Sequence, residues 1–506
     1  MPGPRSLAKY LIATLLLPAA AWAQQPTTSC ASLQFEVTFE PKVSDRPFTG
    51  RVYVALTRGE HLMPAKAVDW IEADPFFARD VRGWKPGESL VFAADNCLAY
   101  PCSLAELPPG TYRAQAVLGL NDWSRDAINA PGNGYSEVAV FKWAAERPVT
   151  VHLRIAHTFP QPELLDRESC KYVSLKSKRL SAFYGRDVFL RAAVGLPELY
   201  SREPQRRFPT VYVVPGFGGA LEEASPEVLA GILTAQGMPA VVVHLDASCP
   251  TGHHVFADSE NNGPWATALV SELIPWLEQQ FRLIRDPAAR YLTGHSSGGW
   301  STLWLQITNP DTFGGVWSTS PDPVDFTAFM QVDIYAADAN MLYTSDGALR
   351  SLTRPGVFGI MKAKELCALE AVLGRGGQMG SFEAVFSPRG ADGRPVPLWD
   401  RASGRIDPQV AAAWRKYDIC RVLENNWPAL APKLAGKLHV SCGEQDDFFL
   451  DQGVRKLGEL LKKLGSDAQV EIVPGASHLL PPGVFMEVAR QMAEQFDRQY
   501  KNRHGG

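Results

Sequence analysis

The chain has 506 residues, of which 45% are hydrophobic and 21% are charged, and its formal net charge is −4 at pH 7. This balance is that of a globular protein with room for more than one domain. It excludes a strongly basic surface, so neither nucleic acid nor an anionic membrane is predicted as a partner.

Residues 1–23 carry the pattern of an export signal. A short basic stretch precedes the apolar segment 10–18, and Ala21-Trp22-Ala23 fits an A-x-A cleavage site. The apolar run is shorter than the roughly 20 residues that cross a bilayer, so stable membrane insertion is not expected. We therefore predict a secreted or periplasmic protein.

The eight cysteines follow the predicted cleavage site, and an exported chain permits disulfides whose pairing cannot be read from the sequence. Cys97 and Cys102 are close enough in sequence to close one loop. Cys442 lies in an apolar strand and is expected to be a buried thiol. No histidine pair accompanies the cysteines at ligand spacing, so neither a metal site nor a cofactor is predicted.

Residues 30–158 show the alternation of half-buried strands. Apolar and polar side chains alternate over residues 33–39 and 149–155, which is a period of two. Similar runs at 51–56, 89–92, 112–118 and 138–143 are separated by Gly, Pro and Asn turns. This pattern predicts an N-terminal antiparallel β-sandwich of the immunoglobulin-like type.

Residues 165–500 instead alternate between strands and helices, which predicts an α/β fold. Uninterrupted apolar runs indicate strands that are covered on both faces, as in a parallel sheet. The segment of about 328–432 breaks the alternation and is predicted to be an inserted cap. The predicted strands are 173–180, 186–194, 210–214, 239–245, 290–293, 437–442 and 469–473, and the predicted helices are 226–236, 265–281, 300–308, 454–464 and 484–500.

Gly294-His295-Ser296-Ser297-Gly298 is a G-x-S-x-G motif between a predicted strand and a predicted helix. The short pattern is weak alone, but strand, turn and helix are the setting of a nucleophile elbow. The alternative is that Ser296 is only a helix N-cap. We predict that Ser296 is the nucleophile of a serine hydrolase.

A serine nucleophile needs a base, and His478 is the best candidate among the ten histidines. It stands in the loop after the last predicted strand, at the sheet edge where Ser296 emerges. His295 is expected to point away from the site. The histidines that remain as alternatives are His244, His253 and His254.

The base needs a carboxylate that orients its ring. Asp446 and Asp447 follow the predicted strand 437–442 at the same edge. Asp446 is the first choice and Asp447 the rival, while a solvated loop aspartate is the alternative for either. The order Ser, Asp, His along the chain is typical of α/β hydrolases.

The Gly-rich turn at residues 216–219 follows a central strand and can offer amide donors to an oxyanion. We predict Phe217 and Ser297 as these donors. A phosphate cradle is the alternative, but the turn lacks the Lys and Ser/Thr of a P-loop.

These motifs resemble the putative esterase family of α/β hydrolases, which includes esterase D, feruloyl esterases, enterochelin esterases and mycolyltransferases. The resemblance covers about residues 170–500 and includes the motif at 318–323. It implies an α/β-hydrolase domain and an acyl-enzyme mechanism without a metal. Two departures are the long insertion and Ser297, where many members have methionine.

In that family's pattern, residues 252–256 and 261–262 lie near the site. The candidate substrate-binding residues are Gly218, His253, His254 and Trp300. Loop ordering is an equal alternative for the histidines. Core packing is the favoured alternative for four tryptophans that would otherwise form an aromatic wall, namely Trp265, Trp300, Trp399 and Trp414.

The sequence thus predicts a secreted serine esterase that acts on a small-molecule or polysaccharide-linked ester, with an aromatic feruloyl-type acyl group or a carbohydrate alcohol. The oligomeric state is not predicted. An acyltransferase or a serine peptidase of the same fold stays open, as does a non-catalytic binding protein that acts through the sandwich.

Overall fold

The computed structural model describes residues 32–60, 63–68 and 73–501. The predicted export signal lies outside the described residues. Two large sheets, one N-terminal and one C-terminal, are each surrounded by their own apolar core.

The N-terminal sheet has nine strands in the order β4-β1-β9-β7-β6-β2-β3-β5, with β8 also paired to β6. β1 and β9 pair in parallel, so the prediction of a wholly antiparallel arrangement is wrong. The strands are β1 Leu33–Phe39, β2 Phe48–Thr57, β3 Phe76–Trp84, β4 Leu90–Phe92, β5 Leu98–Tyr100, β6 Gly110–Leu118, β7 Gly134–Ser136, β8 Ala139–Trp143 and β9 Val149–Thr158.

This sheet bends so that distant strands face one another. Phe35 on β1 and Phe77 on β3 stack with ring centroids 6.3 Å apart, although β1 and β3 lie near opposite ends of the strand order. The alternating burial along β1 matches the period of two in the sequence. The immunoglobulin-like type stays a prediction.

The C-terminal sheet has eight strands in the order β10-β11-β13-β12-β18-β19-β20-β21. β11 pairs antiparallel with β10 and β13, and the pairs from β13 to β21 are parallel. The strands, with two short hairpins at β14 to β17, are β10 Cys170–Lys176, β11 Phe189–Gly195, β12 Thr210–Val214, β13 Val241–Leu245, β14 Ser248–Cys249, β15 Gly252–His253, β16 Asp258–Ser259, β17 Gly263–Pro264, β18 Arg290–His295, β19 Gly315–Thr319, β20 Leu438–Gly443 and β21 Gln469–Val473.

Helices cover both faces of the C-terminal sheet, which confirms the predicted α/β-hydrolase core. α3 and α12 pack on one face, and α5, α6 and α11 pack on the other. The α-helices are α1 Lys178–Tyr184, α2 Leu199–Arg202, α3 Pro226–Ala235, α4 Trp265–Ala268, α5 Ile274–Gln280, α6 Ser297–Thr308, α7 Ala363–Leu373, α8 Gln378–Phe386, α9 Pro408–Trp414, α10 Ile419–Leu434, α11 Leu450–Lys463 and α12 Pro482–Phe496.

Several boundaries differ from the sequence prediction by a few residues. The strand predicted at 173–180 ends at Lys176, because the Ser177 hydroxyl accepts the amide of Leu180 and caps α1. The helix predicted at 300–308 begins earlier, at Ser297.

A long insertion separates β19 from β20, which nevertheless pair directly. Residues 320–437 of this insertion contain α7 to α10. The N-terminal sheet contacts the insertion through Tyr53, whose hydroxyl donates to the carbonyl of Leu373 at 2.7 Å. Leu369 and Val372 of α7 share an apolar cluster with the same sheet.

The seven cysteines in the described part of the chain are free thiols. Cys442 is buried, as predicted, whereas the suggested closure between Cys97 and Cys102 is not formed. Within residues 32–60, 63–68 and 73–501, no group of three His, Cys, Asp or Glu side chains is placed to hold a metal ion. No helix in these ranges has the length and apolar content to cross a membrane.

Candidate active site

Ser296 occupies a strained turn between β18 and α6. Its φ is 59° and its ψ is −125°, a region that residues other than glycine rarely adopt. The Ser296 amide donates to the carbonyl of Thr319 at 3.0 Å, and its carbonyl accepts the amide of Trp300 at 3.1 Å. The first turn of α6 places a partial positive charge beside the serine.

Two glycines allow this turn to pack against the sheet. A Cβ on Gly294 would lie 2.3 Å from the carbonyl oxygen of Gly298, and a Cβ on Gly298 would lie 2.0 Å from the carbonyl oxygen of Val214. A side chain at either position would therefore overlap with backbone atoms. The spacing of the G-x-S-x-G motif follows from this close approach of α6 to β12 and β18.

His478 lies in the loop after β21 with its ring held by Asp446. The Nδ1 atom of His478 is 2.8 Å from Oδ2 of Asp446, and both side chains are buried. Oδ1 of Asp446 accepts the amides of Phe448 at 2.9 Å and Leu450 at 3.3 Å. Because a carboxylate only accepts hydrogen bonds, Nδ1 is the donor in this contact, and Nε2 is the ring nitrogen left for proton transfer.

Asp447 makes a different contact with the same loop. Its Oδ2 accepts the backbone amide of His478 at 2.9 Å. The structure thus separates the two aspartates that the sequence left as rivals. Asp446 orients the imidazole ring, and Asp447 fixes the backbone that carries it.

The Gly-rich turn at residues 216–219 lies against the nucleophile. A Cβ on Gly216 would be 3.4 Å from Cβ of Ser296. The Gly216 carbonyl accepts the amide of Gly219 at 3.1 Å. In a planar trans peptide the C=O and N–H bonds point in opposite directions, so the amide of Phe217 points out of the turn.

Asp322 is a further carboxyl group at the site, and in the sequence it stands within the motif 318–323. Its Oδ2 accepts the Ser297 hydroxyl at 2.5 Å, and its amide donates to the Ser296 carbonyl at 3.2 Å. Burial raises the pKa of Asp322 to about 6. Ser297 is the first residue of α6, so its backbone amide has no acceptor within the helix.

His295 lies beside His478, with ring centroids 4.6 Å apart, so the expectation that it points away is wrong. Its Nδ1 is 3.0 Å from the Thr319 hydroxyl, which itself donates to the carbonyl of Gly294 at 3.1 Å. His295 Nδ1 is therefore the donor in the first bond. Burial, followed by the nearby His478, lowers the pKa of His295 to about 4.

A cavity of about 190 Å³ lies over Ser296 and His478, and it is also lined by Phe217, His295 and Asp322. Most of its remaining lining is apolar. Five apolar side chains come from the insertion, namely Met330, Leu352, Phe358, Met361 and Leu366, and three come from the loops and helix after β20 and β21, namely Phe448, Leu450 and Leu479.

The sequence profile of the family described as "Putative esterase" matches residues 187–478, which is more than half of the chain. The chain belongs to the putative esterase family. This esterase is a serine carboxylic-ester hydrolase.

Three solved structures that are similar to part of the esterase are also described as esterases or hydrolases. A ferulic acid esterase has 15% identity over 65% of this chain and 98% of its own, with a TM-score of 0.40. FphF, a fluorophosphonate-binding serine hydrolase of Staphylococcus aureus, has 15% identity over 65% of this chain and 98% of its own, with a TM-score of 0.40. An S-formylglutathione hydrolase from Agrobacterium tumefaciens has 17% identity over 65% of this chain and 95% of its own, with a TM-score of 0.37. No curated protein sequence matches the chain.

His253, His254 and Trp300 do not line the active-site cavity of the esterase, which argues against the substrate contacts predicted for them. All three are buried. His254 stacks on Trp265 with centroids 3.8 Å apart, and Trp300 stacks on Trp304 at 5.2 Å. The other tryptophans of the predicted aromatic wall, Trp399 and Trp414, are also buried.

His253 contacts the start of the Gly-rich turn instead. Burial lowers its pKa to about 4, so the ring is neutral. Its Nδ1 accepts the amide of Val255 at 3.0 Å, and its Nε2 donates to the carbonyl of Pro215 at 2.9 Å. Gly218, the fourth predicted substrate contact, lies in the turn and does not line the cavity.

A second cavity of about 250 Å³ lies between α12 and the strands β19 to β21, beside His439. None of the predicted catalytic residues lines it. The smaller cavity over Ser296 is therefore the candidate active site.

Proposed function

We propose that the esterase acts through Ser296, His478 and Asp446 with an acyl-enzyme intermediate. The observation that carries this proposal is that Ser296, in a strained turn, and His478, held by Asp446 at 2.8 Å, line the same cavity. A perturbed backbone, an oriented imidazole and a concave site together are the features of a nucleophile and its base.

In the first step Ser296 Oγ attacks the ester carbonyl carbon while His478 Nε2 takes the hydroxyl proton. The tetrahedral intermediate collapses as the C–O bond to the alcohol breaks, and His478 returns the proton to that alcohol. Water then attacks the acyl-enzyme by the same route and releases the acid. Asp446 stabilises the imidazolium that forms in each half of the cycle.

The amides of Phe217 and Ser297 are the proposed donors to the oxyanion. Phe217 points its amide out of a turn that lies against Ser296, and Ser297 begins α6. Two such donors stabilise charge that develops only in the transition state, which lowers the barrier.

The proposed substrate is an ester with an apolar or aromatic acyl group of the feruloyl type, linked to a small alcohol or a carbohydrate. Support comes from the cavity, whose lining includes eight apolar side chains beside Ser296 and His478. Burial of an aromatic or aliphatic acyl group against them is favourable, whereas a charged acyl group would lose its hydration.

The proposal includes export of the enzyme and an immunoglobulin-like sandwich at residues 30–158. Export is supported by the sequence pattern of residues 1–23. The sandwich is supported by the facing aromatic rings of Phe35 and Phe77. Amino-terminal sequencing of the exported protein tests the first point.

The function is tested with p-nitrophenyl esters of increasing chain length and methyl ferulate, using protein that starts at residue 24. Ser296→Ala is expected to abolish turnover and fluorophosphonate labelling without unfolding the protein. Ser301→Ala is the matched control, because Ser301 also lies on α6 and its hydroxyl donates to the carbonyl of Ser297 at 2.6 Å, within the same helix. Undiminished turnover by Ser296→Ala would remove the assignment.

A further inference from the structure

A loop of the N-terminal domain, residues 119–133 between β6 and β7, reaches the active site. We name it the interdomain loop. Asn121 and Asn133 organise it from within: the side-chain oxygen of Asn121 accepts the amides of Trp123 and Ser124, and the side-chain oxygen of Asn133 accepts the amide of Asn121. A loop that bonds to itself in this way holds its side chains in defined positions.

The interdomain loop is also anchored to the catalytic domain. Trp123 packs edge to face with Tyr184, with centroids 4.8 Å apart. Asp122 pairs with Arg186 at 3.3 Å. On the side of the insertion, a Cβ on Gly376 would lie 2.0 Å from the carbonyl oxygen of Arg125, so that backbone approach requires glycine.

Arg125, at the centre of this loop, contacts the Gly-rich turn directly. Its Nη2 donates to the carbonyl of Gly218 at 2.7 Å, and its guanidinium carbon lies 5.5 Å from the centre of the Phe217 ring. The side chain is half-buried. A charged donor to a carbonyl is stronger than a neutral one, and a cation over an aromatic face adds attraction.

The contacts of the turn surround the peptide that carries the Phe217 amide. The carbonyl before that peptide, on Pro215, is held by His253 at 2.9 Å. The carbonyl of that peptide, on Gly216, is held by Gly219 at 3.1 Å. The carbonyl two residues later, on Gly218, accepts a hydrogen bond from Arg125 of the N-terminal domain.

The conformation of Gly218 makes this last contact important. Its φ is +92°, and glycine at such a position moves between positive and negative φ at little cost. Rotation there would change the direction of the neighbouring peptides in the turn. A hydrogen bond to the Gly218 carbonyl therefore restricts a residue that has no side chain to hold its backbone conformation.

We propose that Arg125 is a positioning residue that fixes the Phe217 amide toward the oxyanion, so that the N-terminal domain completes the active site. The proposal rests on the function proposed above, in which Phe217 is an oxyanion donor. It assigns the N-terminal domain a part in catalysis rather than only a spacing role.

The test compares three variants of the mature enzyme, each with both domains present. Arg125→Met keeps the length of the side chain but removes the donors and the charge, and Arg125→Lys restores one donor. Arg51→Met is the matched control, because Arg51 also crosses from the N-terminal domain, to the carbonyls of Ala371 and Val372 at 2.8 and 2.9 Å. These carbonyls lie in α7 and not in the turn.

The readouts are kcat, KM and the inhibition constant of a trifluoromethyl ketone that carries the preferred acyl group. This probe adds to Ser296 and forms an oxyanion that needs the same donors. For Arg125→Met we expect kcat to fall about 10- to 100-fold, with KM within about twofold and inhibition weakened in parallel. Arg125→Lys should recover part of each loss, and Arg51→Met should match the parent enzyme.

Two results would overturn the proposal: an unchanged kcat in Arg125→Met, or equal losses in Arg125→Met and Arg51→Met, which would indicate domain docking alone. Failure of the proposed function is seen separately, as turnover by Ser296→Ala in the presence of an intact Arg125. In the first case Ser296 still governs activity, whereas in the second it does not.

Discussion

The carboxyl edge of the C-terminal sheet and the inserted segment build two sides of one cavity in different ways. At the sheet edge, polar groups are held by backbone hydrogen bonds and by glycines that admit no side chain, as at Gly298. On the side of the insertion, the lining consists of apolar side chains such as Met361 and Leu366. The sheet edge therefore fixes the positions of the reacting groups, whereas the insertion offers an apolar surface whose volume limits which acyl groups fit.

Substitutions on the two sides of the cavity should therefore have different effects. A change at the sheet edge alters proton transfer or the fold of the turn, because the groups there act through directional hydrogen bonds. A change in the insertion alters which acyl groups fit, because apolar contacts are not directional. Rate and preference should therefore respond to different residues.

The largest expected effect is on the pair of aspartates at the sheet edge. Asp446→Asn should lower kcat about 10³- to 10⁴-fold, because an amide can hold the His478 ring in the wrong tautomer. Asp447→Asn should lower kcat less than about tenfold, since an amide oxygen still accepts the backbone amide that Asp447 accepts at 2.9 Å. Steady-state kinetics on one ester measures both, and equal losses would contradict the assignment.

The next effect is on the stability of the turn. Gly298→Ala should destabilise the protein by about 4 kcal/mol or more, because the added Cβ would lie 2.0 Å from a backbone oxygen. Gly231→Ala is the control in α3, where an added Cβ meets no atom within 4 Å. This control should gain about 0.5 to 1 kcal/mol in thermal or urea unfolding. Similar stability in both variants would show that the turn relaxes more easily than the packing indicates.

A smaller effect is expected from pH at Asp322, whose pKa is raised to about 6 by burial. The folded state holds this proton more tightly than the unfolded state. Stability from the neutral carboxyl group is therefore complete below about pH 4 and is lost as the pH rises through about 6. Asp322→Asn keeps an acceptor for Ser297 but does not ionise.

The variant should consequently gain stability relative to the parent as the pH rises, by about 3 kcal/mol between about pH 4 and 8. Unfolding midpoints of parent and variant across this range measure the difference. A difference that stays constant with pH would argue against an ionising buried carboxyl group.

The smallest expected effect lies in the insertion. Met361→Ala enlarges the cavity and should raise the preference for longer over shorter acyl chains about tenfold in kcat/KM. Ile360→Ala is the neighbouring control, because this side chain is 58% exposed. A preference that shifts equally in both variants, or in neither, would remove the insertion from substrate selection.

More of the sheet edge than of the insertion is predictable from the sequence, because short continuous motifs form the edge. The strands around Ser296 and the loop of His478 are continuous motifs, so their placement follows from strand order. Asp446 and Asp447 are adjacent, and only the bend of their loop decides which one meets the imidazole. The strand predicted at 173–180 runs past Ser177 because a serine can stand in a strand or cap a helix, and only the contact with the Leu180 amide identifies the cap.

Contacts between segments that are distant along the chain cannot be predicted from local sequence patterns. Arg125 and Gly218 are 93 residues apart, and no local pattern marks an arginine that donates to a carbonyl in another domain. His295 was misplaced because the direction of a side chain in a strained turn depends on its neighbours, here Thr319 and His478. Asp322 lies in the motif 318–323. Its contact with Ser297 is not predictable because the two residues are 25 positions apart along the chain.

The strands that border the insertion are direct neighbours in the sheet, with Val316 opposite Leu438 and Thr319 opposite Ser441. The long segment therefore leaves and re-enters the sheet at one seam. A protease cut in its exposed part, such as residues 391–394, would leave the two fragments joined by the backbone hydrogen bonds between these adjacent parallel strands. An insertion attached in this way can be exchanged for another of different length while the strands on either side keep their register.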